Sequence, residues 1–166
     1  MNFADTNWLE AMFFNLADDK KSRRGTVDRF MRQNPGQLGL SHLVYLEARN
    51  VFSRISGEAE PPEWNQLQAG LSGLFYLDPM NWDLLRRDAF ALFAKYSPKV
   101  TLGTFDLTLL ASAKLAGATR LLSFDQSLKA VAVAEGLEVF PDLNEAGKTM
   151  LARLKRWNTR PARFPP

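Results

Sequence analysis

Thr119-Arg120-Leu121-Leu122-Ser123-Phe124-Asp125 leads into a run of helical spacing over residues 126–135, then Gly136, then Leu137-Glu138-Val139-Phe140. The first segment has the composition of a short buried strand, the second that of a helix, and Gly136 supplies a left-handed stop before another strand. A strand, a helix and a strand in close succession make a βαβ unit, whose strands run parallel and are joined by a right-handed crossover. Parallel sheets need both faces covered. The unit therefore predicts an α/β protein with helices on both sides of one sheet.

The same alternation runs back to the N-terminus. Asn2-Phe3-Ala4-Asp5 is a short extended segment, after which Thr6 or Asn7 caps an apolar run carrying Trp8, Leu9, Met12, Phe13 and Leu16. Residues 18–32 form an amphipathic helix closed by Asn34-Pro35-Gly36, and Leu38-Gly39-Leu40 is a second strand. Ser41 caps residues 42–55, which turn Leu43, Val44, Leu46, Val51 and Phe52 inward before Ser56-Gly57. A helix over residues 63–71, a strand at Leu74-Phe75-Tyr76-Leu77 and a helix over residues 81–95 come next. Residues 101–118 hold a helix rich in leucine and alanine, and residues 144–157 a terminal one docked on the body. The expectation is a parallel sheet of four to five strands in residues 1–145, with residues 146–166 as a C-terminal helix and basic tail.

Composition narrows the chemistry. The chain has 166 residues, a net charge of +3, no cysteine and one histidine, His42. Disulfides, thiolate nucleophiles and cysteine-ligated zinc are excluded, and neither a multi-histidine site nor a nucleophile elbow is present. Carboxylate chemistry is favoured by elimination. No apolar run is long enough for a membrane span and no secretory signal opens the chain, so a cytoplasmic protein is expected, with no membrane partner. Positive charge collects late: Lys148, Arg153, Lys155, Arg156, Arg160 and Arg163 follow Glu145 with no acid among them, a distribution suited to phosphate or to simple solvation.

Four acids stand out by position. In an open parallel sheet, functional groups collect at the carboxyl ends of the strands, where Asp5 and Asp125 lie. Each is also well placed to cap the helix that follows it. Glu47 shares a helical face with Leu43, Val44 and Val51, and Asp106 shares one with Leu109, Leu110 and Ala113, where an unpaired carboxylate is unfavourable. Asp106 has a competing explanation in the dipole at its helix start. Were the four to converge, mutual repulsion would call for a cation, and an all-oxygen set suits Mg²⁺ or Mn²⁺ better than zinc.

These residues resemble the PIN-domain ribonucleases, in particular the VapC toxins of toxin-antitoxin pairs. Phe3-Ala4-Asp5-Thr6-Asn7 is similar to the family's first motif, Ser41-His42-Leu43-Val44-Tyr45-Leu46-Glu47 to the second, and Thr104-Phe105-Asp106 with Ala111 and Ala113 to the third. Leu121-Leu122-Ser123-Phe124-Asp125, with its helix and closing strand, is similar to the fourth, so the resemblance covers residues 2 to 142. It implies a PIN-like three-layer α/β/α fold and a nuclease domain over residues 1–145. It implies further that Asp5, Glu47, Asp106 and Asp125 bind Mg²⁺ or Mn²⁺ and carry catalysis, with Thr6 and Ser123 hydrogen-bonding around them. The implied partners are an RNA substrate, a small antitoxin whose helix lies in an apolar groove that Trp8, Phe13 and Phe14 could line, although core packing of the first helix is the stronger reading for Trp8 and Phe13, and a second copy in a homodimer.

Arginine and lysine at the rim of an acidic cleft would grip RNA, and the candidates are Arg23, Arg24, Arg49, Lys95 and Lys99. The alternative reading is a PIN-like module that binds RNA or protein without catalysis, against which all four acids argue. An aspartate-nucleophile phosphatase built on Asp5 would want a second aspartate at position 7, where Asn7 stands.

Overall fold

A computed structural model describes residues 1–14 and 21–158. Five short parallel strands, β1 (Asn2–Ala4), β2 (Leu38–Leu40), β3 (Phe75–Leu77), β4 (Arg120–Leu122) and β5 (Glu138–Phe140), form one sheet in the order β3-β2-β1-β4-β5. Strand β1 pairs Phe3 with Gly39 on one side and with Leu121 on the other. Gly39 is required by this register, because a Cβ there would come within 2.6 Å of the Phe3 ring.

The helices are α1 (Thr6–Phe13), α2 (Lys21–Gln33), α3 (His42–Ser56), α4 (Pro62–Gly70), α5 (Trp82–Tyr96), α6 (Thr104–Leu115), α7 (Gln126–Ala134) and α8 (Glu145–Asn158). Their starts obey local chemistry. Ser41 caps α3 by accepting from the Val44 N–H, Asn81 caps α5 by accepting from Leu84, and Pro62 opens α4 where its missing N–H is no loss. Gly57 ends α3 with a left-handed φ of 75°. Right-handed crossovers send the β1-to-β3 connections over one face of the sheet and the β3-to-β5 connections over the other. The order thus reverses between β1 and β4, which makes their carboxyl ends a topological switch point.

The core joins both faces of the sheet. Trp8, fully buried, stacks on Phe124 at 5.5 Å between centroids and meets Phe30 and Phe140 edge-on. Phe14 and Phe52 pack edge to face at 4.9 Å, and Phe13 leans on Phe52 and Phe75. Trp8, Phe13 and Phe14 are therefore core residues, and they do not line an open groove for a partner helix. The expected inward Leu46 is also displaced, being 65% exposed. The buried stripe of α3 is Val44, Ala48, Val51 and Phe52, and a residue two positions after Val44 points away from it. The expected start of α2 at residue 18 lies outside the described residues, as do Arg160 and Arg163. No described helix is long and apolar enough to cross a membrane.

Far from the switch point, Glu135 closes α7 with a nearly buried carboxylate that accepts from Lys95 Nζ at 2.7 Å, from the Tyr96 hydroxyl at 2.6 Å and from Lys114 Nζ. Burial opposes the charge, but the hydrogen bonds from Lys114, Lys95 and Tyr96 outweigh it and bring the carboxyl down to about 2. Glu135→Ala leaves the buried Tyr96 hydroxyl and two ammonium groups without their acceptor. We expect a loss of about 2 kcal/mol in urea unfolding, with the native circular dichroism spectrum unchanged in the folded fraction.

Candidate active site

Asp5 stands one residue beyond β1 and serves as the N-cap of α1, its Oδ1 accepting from the Thr6 N–H at 2.7 Å. Its Oδ2 accepts from Asn7 Nδ2 at 2.6 Å and from Ser123 Oγ at 2.7 Å. Ser123 follows β4, so this last bond ties the ends of the two central strands across 118 residues of sequence. Asn7 completes the clasp by accepting from the Phe124 N–H at 2.9 Å. Ser123 Oγ also accepts from the Asp125 N–H at 3.0 Å, while Asp125 Oδ1 caps α7 through the Leu128 N–H at 2.8 Å.

The other two acids arrive from the helices. Glu47, half-buried on α3, accepts from the Thr6 hydroxyl. Asp106, at the third position of α6, reaches back to accept from the Gly103 N–H at 2.9 Å, and glycine has no side chain to return the bond. Each acid thus satisfies a local donor, and the capping role expected of Asp5 and Asp125 is present in the structure.

Electrostatics bring the four together. Burial pushes Asp5 up to about 7 against the pull of Ser123 and Thr6, and the neighbouring Asp106 and Glu47 raise it further. Burial also raises Asp106, opposed by the Gly103 N–H and helped by Asp125 and Glu47. No ion pair among the described residues involves any of the four. Equally, no three acidic or imidazole side chains among the described residues form a ready-made ion cage. One oxygen of Glu47, Asp106 and Asp125 is turned to a local donor, and both oxygens of Asp5 are. One oxygen each of Glu47, Asp106 and Asp125 carries no protein hydrogen bond among the described residues. This donor set is all oxygen, short of positive charge and partly open, which fits a hard divalent cation that keeps waters of its own.

The basic residues distribute unequally. Arg23 lies over the Phe124 ring at 5.1 Å, beside Asp125, with no carboxylate partner among the described residues. Arg24 pairs with Asp28 one turn along α2. Arg49 turns from the Glu47 side of α3 to the Ala59 carbonyl, Ser53 and the Trp64 ring. Lys95 is held by Glu135, at the opposite end of α7 from Asp125, roughly 14 Å along the helix. Lys99 sits over Tyr96 and Trp157 in the same region. These two lysines belong to that far end and not to the rim of the acids.

Asn7 escaped the sequence reading, which weighed it as a cap and as the wrong residue for a phosphatase. Its signal was its type: an amide offers a donor and an acceptor together, which a junction between two strand ends requires. Ser123→Ala removes the hydroxyl that donates to Asp5 and accepts from the Asp125 N–H. If the site proves catalytic, we expect its turnover to fall by about ten- to a hundredfold with modest change in thermal midpoint, read by single-turnover kinetics beside circular dichroism.

Comparison with known proteins agrees with this architecture. VapC20 of Mycobacterium tuberculosis, a toxin that cleaves the sarcin-ricin loop, superposes with a TM-score of 0.65 at 20% identity, covering 79% of this chain and 95% of that one. VapBC2 of Rickettsia felis, solved on a DNA fragment from its promoter, gives 0.60 at 16% identity over 83% of this chain and 96% of that one. A toxin-antitoxin complex from Klebsiella pneumoniae gives 0.58 at 20% identity, covering 78% and 91%. At such identities the likeness is one of fold. No curated protein matches the chain significantly. The family model described as PIN domain matches residues 3–134, from β1 through α7 and across all four acids, and the chain belongs to the PIN-domain family.

Proposed function

We propose that the chain is a divalent-metal-dependent endoribonuclease and the toxin of a toxin-antitoxin pair. The observation that carries this reading is Asp5, a carboxylate buried at the switch point between β1 and β4 and tied there to Ser123, with no cation paired to it among the described residues; burial and the neighbouring acids raise its carboxyl, in keeping with that reading. Family membership supports nuclease chemistry, and the toxins of like fold support the biological setting.

In this reading Asp5, Glu47, Asp106 and Asp125 hold Mg²⁺ or Mn²⁺. A divalent ion there would supply Lewis acidity, making water more acidic and offsetting the negative charge on the phosphoryl and leaving oxygens. The chain's own groups do the placing. Asp5 is fixed by three donors and cannot swing away from the pocket floor. Thr6 orients Glu47. Asp125, with Oδ1 committed to the α7 cap, has Oδ2 free either to complete the metal's ligand set or, in place of touching metal, to orient the attacking water and take its proton. In-line attack forms the new oxygen-phosphorus bond as the bond to the 3′ oxygen breaks, leaving a 5′ phosphate and a 3′ hydroxyl. Arg23, stacked on Phe124 beside Asp125, is the side chain we assign to the scissile strand's phosphate.

A small antitoxin would block such a site through a basic side chain in the acidic pocket. Homodimerisation belongs to the same reading. The deciding experiment is cleavage of end-labelled RNA by the purified chain with Mg²⁺, with Mn²⁺ and with chelator. Cleavage that requires metal and leaves 5′ phosphate is the expected result; chelator-resistant or absent cleavage across several single-stranded and structured RNAs would overturn it.

A further inference from the structure

Lys129 is a second buried charge, and none of the hydrogen bonds that hold the four acids involves it. The residue is 1% exposed. Its ammonium donates to the backbone carbonyls of Pro141 at 2.9 Å and Asp142 at 3.3 Å, two acceptors for a group with three donors. Both hydrogen-bond partners are neutral carbonyls, burial outweighs the pull of the Asp142 and Asp125 carboxylates, and a methionine would fill similar volume without that penalty. Stability therefore gives no account of the charge.

Its location does. Lys129 is four residues after Asp125, so both lie on the same side of the first turns of α7. Burial lowers the lysine's affinity for its proton, while Asp142 and Asp125 restore it, which puts the ammonium within the field of the fourth pocket acid. The segment it binds is stitched to α7 a second time, where Gln126 Oε1 accepts from the Asn144 N–H at 3.0 Å. The charge is thus held in place from two sides.

We propose that Lys129 is a positioning residue for the metal pocket, whose fixed positive charge behind Asp125 offsets part of the four-carboxylate charge and sets how tightly divalent ions are held. A cation entering the pocket shares the field of Asp125 with an ammonium that cannot move or be screened by water. The pocket then releases its ions more readily than four uncompensated acids would. This inference rests on the metal-nuclease reading, and its test separates the two.

The test is Mn²⁺ titration of the purified chain, read by electron paramagnetic resonance, for wild type, Lys129→Met and Lys129→Gln, with folding checked by circular dichroism. Both variants remove the charge, but only glutamine keeps an amide donor for the Pro141 carbonyl. We expect both to bind Mn²⁺ about tenfold more tightly than wild type, in line with loss of one nearby unit charge in a partly buried setting. Should the methionine variant fail to fold, the glutamine variant decides. Binding equal to or weaker than wild type overturns the proposal and leaves Lys129 as a tether for residues 141–142. A wild type that takes up no Mn²⁺ overturns the metal reading itself, and this proposal with it.

Discussion

On the proposed nuclease reading, we expect Asp5→Asn to lower RNA cleavage by about a thousandfold or more while the protein stays folded. The amide keeps an oxygen for the Thr6 N–H but places an NH₂ group where Asn7 and Ser123 now donate. The Ser123 hydroxyl can turn and accept, and one Asn7 bond is given up at a cost of about 1 kcal/mol. Against that stands the loss of a buried charge that burial already disfavours. Fold survives and ion binding does not. Single-turnover cleavage of labelled RNA, with Mn²⁺ binding measured alongside, checks both halves. Asp5→Asn cleavage within tenfold of wild type would remove Asp5 from the catalytic set. Asp106→Asn has a milder effect, about a hundredfold, because that carboxylate is less buried and spends an oxygen on the Gly103 N–H.

Much of this site was legible because its acids sit at punctuation marks in the chain. Asp5 and Asp125 each fall where a strand ends and a helix begins, and such junctions are written in local composition: a short apolar run, a capping residue, then helical spacing. The parallel order follows from the same alternation, and all five strands lie within their expected segments. Asn7 and Lys129 were not legible in the same way. Asn7 takes its meaning from a partner at Phe124, and Lys129 from carbonyls twelve and thirteen residues on, past a turn that periodicity does not describe.

Two further departures have a common cause. Leu46 was expected inside because it is apolar and near the stripe of α3, and Lys95 at the rim because it is basic and near a helix end. Residue type sets what a side chain prefers, while the face it occupies is set by angle and by what packs there. On α3 the angle puts Leu46 outward and Glu47 at the flank of the stripe. On α5 the facing carboxylate of Glu135 captures Lys95 and, with Lys114, locks the far ends of α5, α6 and α7 together. Rigidity at that end leaves the acids at the other end of α6 and α7 on fixed supports, which is what a pocket of mutually repelling carboxylates requires.

Metal-free protein should lose stability as pH rises from about 4 to beyond 7, and Mg²⁺ should restore it only in the upper part of that range. The sign follows from Asp5. Its carboxyl titrates at about 7 in the folded chain against 3.8 unfolded, so the folded state holds the proton more tightly. The associated stability is full below pH 3.8 and is lost as pH climbs through 7, with an upper limit of about 4 kcal/mol. Asp106 shifts in the same direction and adds to the slope. Glu135, brought down to about 2, acts oppositely and weakens the fold only as pH falls below 4.5. Metal-free stability therefore peaks at about pH 4, between the 3.8 at which the Asp5 loss sets in and the 4.5 at which the Glu135 contribution is complete. A divalent ion binds the ionised form, competing with the proton, and at a hundredfold above its dissociation constant contributes about 2.7 kcal/mol. Thermal midpoints at pH 5 and pH 8, with and without Mg²⁺, test this for wild type and Asp5→Asn. Wild type should respond to Mg²⁺ at pH 8 and scarcely at pH 5, and the variant should lose the Mg²⁺ response and keep only the shallower falling slope that Asp106 contributes. A metal-free midpoint that rises steadily from pH 5 to pH 8 would mean that Asp5 is ionised throughout, and that the clasp of Thr6, Asn7 and Ser123 holds its charge without any cation.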